Sequence, residues 1–144
     1  MFLPTYVDYP YERLPLTIRK GNNEQVPYTS GLNWGQRPGR NQDQAYLAVP
    51  AHIQKSGFFP LAGEIFKVYT DDGEIWDCAR RQANGKAIHT IDDNSKLGLY
   101  FRKRLNLYPG DLITINHLLN YGRTSVEFYK KSRYEFILDF NSYK

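Results

Sequence analysis

Two stretches of the chain hold side chains whose types and spacing suit the reading of a nucleic acid. The first is EIWDCARRQANGKAIHT, residues 74–90. Arg80, Arg81, Gln82, Asn84 and Lys86 crowd its middle, and no acid lies between Cys78 and Thr90. In the major groove, Arg and Lys pair with guanine and Gln and Asn with adenine, and the groove admits a two-stranded ribbon. Many basic hairpin ends only meet solvent, so this stretch alone does not decide. The second is SGLNWGQRPGRNQDQ, residues 30–44, which offers Gln36, Arg37, Arg40, Asn41, Gln42 and Asp43. These types grip phosphates or read base edges. A loop of this length in a small domain usually has a function, although a polar surface loop with Trp34 as a core anchor is the plain alternative. Asp43 suits either accepting a hydrogen bond from a cytosine amino group or holding Arg37 or Arg40 in place.

A reaction centre does not emerge. The chain has neither a Gly-x-Ser-x-Gly elbow nor a Gly-rich phosphate loop. His52, His89 and His117 are widely spaced. His52 and Lys55 stand at the wrong offset for a phospholipase-D-type nuclease, and two residues separate Glu64 from Lys67, one too many for a metal-dependent one. Asp71, Asp72, Glu74 and Asp77 cluster in sequence, but strand alternation sends neighbours to opposite faces. No catalytic residue, metal or cofactor is therefore expected, and the chain reads as a non-enzyme. The single Cys78 excludes a disulfide framework and fits a cytoplasmic protein. The first residues, MFLPTYVDYP, lack the pattern of a secretory leader. A net charge of +4 favours an acidic partner, weakly.

The positioning elements follow from pattern. Asn84-Gly85 and Asp72-Gly73 are hairpin signals, so residues 64–90 read as a meander with acids at one end and cations at the other. Residues 1–12 read as an extended arm or linker remnant, and 13–144 as one domain. Leu14, Leu16 and Ile18 suggest a strand that Pro15 confines to an edge. AYLAVP (45–50) reads as a strand, and Pro50 opens a short helix closed by Gly57. Leu97, Tyr100, Phe101, Leu105 and Tyr108 recur near a 3.6 period and predict a helix over 94–108 with Lys96, Arg102, Lys103 and Arg104 on its outer face. The segments 111–118, 125–131 and 134–140 read as strands. Six or seven short strands and two helices suit a mainly β, nearly closed antiparallel barrel.

Several of these stretches, taken in order, resemble one family: SGLNWGQR (30–37), R-x-Q-x-x-AYLAVP (40–50), GFFP (57–60), TDDGEIWDCARRQANGKAIHT (70–90), NSKLGLYFRKRL (94–105) and YGRTSVEFY (121–129). They are similar to the B3-like DNA-binding domain at the C-terminus of restriction endonucleases, nearest to enzymes with a phospholipase-D-like nuclease part, the NgoAVII and BfiI types. The resemblance implies a DNA-binding pseudobarrel of about seven strands with two short helices. It implies double-stranded DNA as partner and two arms gripping the major groove, which by position are the Gln36–Gln44 loop and the Arg80–Lys86 hairpin. The expected DNA ligands are Gln36, Arg37, Arg40, Asn41, Gln42, Asp43, Arg80, Arg81, Gln82, Asn84 and Lys86. Lys103, Arg104, Arg123 and Lys131 are expected on flanking phosphates. A nuclease belongs to another domain or subunit, and the isolated domain is expected to be a monomer. The alternative is a barrel that binds single strands or RNA on exposed aromatic platforms.

Overall fold

The computed structural model describes residues 5–144. In chain order the described strands are β1 (Tyr11–Pro15), β2 (Ile18–Lys20), β3 (Asn23–Gln25), β4 (Leu47–Ala48), β5 (Phe66–Thr70), β6 (Ile75–Arg81), β7 (Ala87–Thr90), β8 (Ser125–Ser132) and β9 (Glu135–Asp139). The helices are α1 (Ala51–Gln54), α2 (Lys96–Arg104) and α3 (Ile115–Tyr121). Seven strands form one sheet in the order β1-β8-β9-β5-β6-β7-β4, and β2 and β3 make a separate ribbon. Within the large sheet only β5 and β9 run parallel. Its edge strands, β1 and β4, approach each other, so the sheet curls into a nearly closed barrel, the expected mainly β pseudobarrel.

Alternation drives the curl. Phe66 and Val68 on β5, Trp76 and Cys78 on β6, and Phe136 and Leu138 on β9 all point inward and are buried. Phe59 meets the rings of Phe66, Phe128 and Phe136 at centroid distances of 5.7, 5.3 and 5.0 Å. Full burial of each such side chain contributes about 1.5–3 kcal/mol. On α2, Leu97, Tyr100 and Phe101 are buried in the same core.

Register fixes which turns share a rim. The β5–β6 turn carries Asp71, Asp72 and Glu74, and the β6–β7 loop lies at the other end of β6, about 20 Å away at ~3.3 Å per residue. Because β9 is parallel to β5, the β8–β9 turn lies on the same rim as the β6–β7 loop. The start of β8 and the end of β9 then fall on the acidic rim with the β5–β6 turn.

The sheet departs from the sequence reading at three places. Residues 111–118, expected as a strand, lead into α3. Thr114 and His117 form a reciprocal capping box at its start, and Gly122 ends it at φ 99°. The alternation of Leu112, Ile113 and Ile115 imitated a strand, while the capping signal lay in Thr114-x-x-His117. The helix expected over 94–108 is only Lys96–Arg104, since Asn106 takes a left-handed φ of 61°. Strand β1 begins at Tyr11, so Tyr11 and Glu12, read as part of an arm, pair with Tyr129 and Phe128. Residues 1–4 of that arm lie outside the described residues.

Candidate nucleic-acid interface

The β6–β7 hairpin is wider than a two-residue turn. Arg81 pairs with Ala87 as the last rung, and residues 82–86 bridge them through a 3-10 turn at Ala83–Gly85. Asn84 and Gly85 take positive φ, 61° and 65°, as the Asn-Gly signal requires. Alternation sends Arg80 and Arg81 to opposite faces. Arg80 is buried, 6% exposed, and its guanidinium donates to the carbonyls of Pro60 at 3.1 Å and Gly85 at 3.1 Å. Arg80 is thus an internal strut under the turn and not the DNA ligand expected at the tip. Arg81, Gln82, Asn84 and Lys86 remain exposed.

The 30–44 loop is not irregular throughout: Gly31–Gln36 form a 3-10 turn. Asn33, fully buried, anchors it. Its amide donates to the carbonyls of Pro27 at 2.8 Å and Ile113 at 2.7 Å, and its oxygen accepts the Ile113 N–H at 2.9 Å. Beyond the turn the loop folds back on itself, with the Gly35 N–H donating to the Gln44 carbonyl at 2.8 Å. A Cβ on Gly35 would lie 2.2 Å from the Asn41 carbonyl oxygen, which only glycine avoids. Gln36 is spent inside the loop, donating to the carbonyls of Gln42 at 3.1 Å and Gly110 at 3.2 Å. Asp43 accepts the Gly110 N–H at 2.8 Å and stands 3.3 Å from Arg102, which is buried at 1% exposure and not on the outer face of α2 as expected. It therefore holds neither Arg37 nor Arg40, and with these partners its carboxylate braces the loop against α2. Gln42 is exposed, with its amide oxygen against Gly110.

The two segments meet. Arg37 and Arg40 from the loop and Arg81 and Gln82 from the hairpin line one open cleft of about 470 Å³. Its floor holds residues the sequence reading left out of the site: Trp34, Tyr46, His89 and Asn94. Trp34, expected as a core anchor, is only half-buried, and Arg40 covers its ring at 3.8 Å. His89 stacks on Tyr46 (5.6 Å, 16°) and meets the edge of Trp34 at 5.0 Å. Burial, with Arg81 and Arg40 nearby, pushes the His89 pKa down to about 4, so the ring is neutral at pH 7. Gln82 Nε2 lies 3.2 Å from His89 Nε2. Among the described residues, none of Arg37, Arg40 and Arg81 has a carboxylate partner. Arg37 donates to the Thr29 carbonyl at 2.8 Å, and Arg40 to the Gln44 amide oxygen at 2.9 Å. No strand alternation flags His89, because all four residues of β7 are buried.

The expected flanking ligands divide. Arg123 has a fully buried side chain, with Glu127 at 3.0 Å and Asp139 at 3.3 Å. Arg104 is ion-paired with the buried Asp71 and donates to the Tyr121 hydroxyl at 2.9 Å. Both belong to the acidic rim and are structural, which corrects their assignment to phosphates. Lys103 is exposed but lies near the far end of α2, roughly 10 Å along the axis from Lys96 at the end nearer the cleft. Lys131 is exposed beside the β8–β9 turn on the cleft's rim, as is Arg133, which sequence reasoning missed. Three strand spacings separate β8 from β6, about 14 Å.

Among the described residues no group of three His, Cys, Asp or Glu side chains is placed to hold a metal ion, and no helix is long and apolar enough to cross a membrane. Compared with known families, the chain matches the model of the NgoFVII C-terminal B3-like DNA-binding domain over residues 11–132. No curated protein matches it.

Proposed function

The chain belongs to the family of the NgoFVII C-terminal B3-like DNA-binding domain of restriction endonucleases, a recognition domain whose partner is DNA, and from that membership we propose that it reads duplex sequence in the major groove with two arms. The arms are the loop carrying Arg37, Arg40, Asn41 and Gln42 and the hairpin carrying Arg81, Gln82, Asn84 and Lys86. The observation that carries this reading is the shared cleft: three guanidiniums without carboxylate partners among the described residues, from segments some forty residues apart in sequence, converge beside an amide. Cations left unneutralised at one rim attract phosphates and guanine edges, and the exposed amides suit adenine. Gln36, Asp43 and Arg80 act behind this surface by holding the arms in shape. Lys131 and Arg133 extend the positive rim toward flanking phosphates.

The aromatic rings in the cleft favour duplex over single strands. Trp34, Tyr46 and His89 pack against one another, and Arg40 covers a face of Trp34, so they do not form a row of open stacking platforms. In this reading residues 11–144 work as one monomeric cytoplasmic recognition unit, and cleavage is performed by a nuclease on another domain or chain. Selection from random duplexes tests it. One short consensus is expected, with affinity falling steeply as salt rises. Equal affinity for all duplexes, or tighter binding to single strands, would overturn it.

A further inference from the structure

We propose that His89 decides which base Gln82 reads. The neutral imidazole accepts one N–H of the Gln82 amide, which leaves Oε1 and the second N–H to face the groove as an adenine-reading pair. This rests on the reading of the cleft as the groove-facing surface.

The backbone at Gln82 is the first sign. Its φ of 66° and ψ of 179° lie in a region populated almost only by glycine. A glutamine held there is strained, and such strain is kept where a side chain has work to do. The second sign is the anchor. Gln82 Nε2 stands 3.2 Å from His89 Nε2, nitrogen against nitrogen; an amide nitrogen cannot accept, so this arrangement requires the neutral ring in its Nδ1–H tautomer, with Nε2 as the acceptor. The ring cannot turn to suit another partner, because Tyr46 stacks on its face and Trp34 meets it edge-on. It is 6% exposed. Arg81 and Arg40 both bear on it and oppose its protonation, and no carboxylate is bonded to it among the described residues.

Chemistry supplies the consequence. An unanchored glutamine rotates its amide by half a turn, which exchanges its oxygen and its NH₂ and so presents the donor and the acceptor in either order. Adenine offers an acceptor at N7 and a donor at N6, so its bidentate partner must present one of each. With one N–H given to His89, the remaining N–H and Oε1 are that set. The reversed amide would set its oxygen against N7 and its NH₂ against the N6 amino group, like against like, and lose the bidentate pair. His89 is thus a positioning residue for base choice that need not touch DNA.

The test begins with the duplex selected by the wild-type chain. Each adenine is replaced in turn by 7-deazaadenine, which lacks the N7 acceptor, and by purine, which lacks the N6 amino group. At one position both analogues are expected to weaken binding about 10-fold. In His89→Leu the same two losses, measured against that variant's own affinity for the selected duplex, are expected to shrink below about two-fold. Gln82→Glu, at an exposed position that does not challenge the core, is the second arm. A carboxylate only accepts, so repeated selection should replace that adenine by cytosine. Undiminished analogue losses in His89→Leu, no adenine sensitive to both analogues, or an unchanged adenine in the Gln82→Glu selection would each overturn the proposal. A wild-type chain that selects no duplex at all defeats the groove reading itself, and that is visible before any analogue is used.

Discussion

The two rims of the barrel use arginine in opposite ways. On the acidic rim, Arg104 and Arg123 are each locked onto buried carboxylates, Asp71 for the first and Glu127 with Asp139 for the second. Asp71 also accepts the Tyr100 hydroxyl at 2.5 Å and the Phe140 N–H at 2.6 Å, so this one side chain joins α2, β9 and the β5–β6 turn. On the opposite rim, Arg37, Arg40 and Arg81 meet only neutral groups in the described residues. The same residue type is mortar at one end and an open charge at the other. The difference lies in the neighbours' carboxylates, not in the arginines themselves.

Substitutions can break the comparison, and the largest effect belongs to the acidic rim. Asp71→Ala removes the buried carboxylate that holds the half-buried Arg104, the Tyr100 hydroxyl and the Phe140 N–H together, and should cost about 3 kcal/mol of stability, read as a lower urea midpoint. Arg81→Ala, on the other rim, should leave that midpoint unchanged. It should weaken the selected duplex by about 1–3 kcal/mol if the guanidinium reads a base. If it holds a phosphate, the slope of log affinity against log salt should fall by about 0.9. Gln82→Gly sharpens the contrast by moving the two properties apart. Relief of the glycine-only backbone should stabilise the fold by about 1–3 kcal/mol while base preference flattens. Lys131→Ala should lower the salt slope, whereas Lys103→Ala, on the far part of α2, should leave it unaltered. A separate effect is on pH. Burial with Arg81 and Arg40 holds the His89 pKa near 4 in the fold against an unfolded value of 6.5. Between those values the unfolded chain binds the extra proton, so the stabilising contribution is complete above 6.5 and is lost as pH falls toward about 4. His89→Leu should remove that component from a denaturation series run between pH 8 and 4.

Much of the frame was legible. The alternation of Phe66 and Val68, and of Phe136 and Leu138, announced inward faces, and Asp72-Gly73 and Asn84-Gly85 announced the meander's reversals. Both segments that line the cleft were visible as dense polar runs beside glycines. What the residues did not disclose was partnership. Arg80 and Arg81 are adjacent letters, yet pleating buries one and exposes the other. Arg104 looks like any exposed helix cation until the fold brings Asp71, thirty-three positions earlier, against it. Trp34 read as core because tryptophan usually is, and His89 looked idle because only the third dimension sets it beside Gln82. Thr114-x-x-His117 was a readable cap masked by a competing alternation.

Gly98 is the point where α2 touches the back of the first arm. A Cβ there would sit 1.8 Å from the Asp43 carbonyl oxygen, and at Gly35 the corresponding gap is 2.2 Å. Two missing carbon atoms therefore dictate the route of the main chain from 36 to 44. Side chains that project from this route can be exchanged without moving it, so a change of target sequence should travel through positions such as 37, 40 and 41. An added methyl at 98 should instead shift the whole loop at once and flatten preference across the selected duplex.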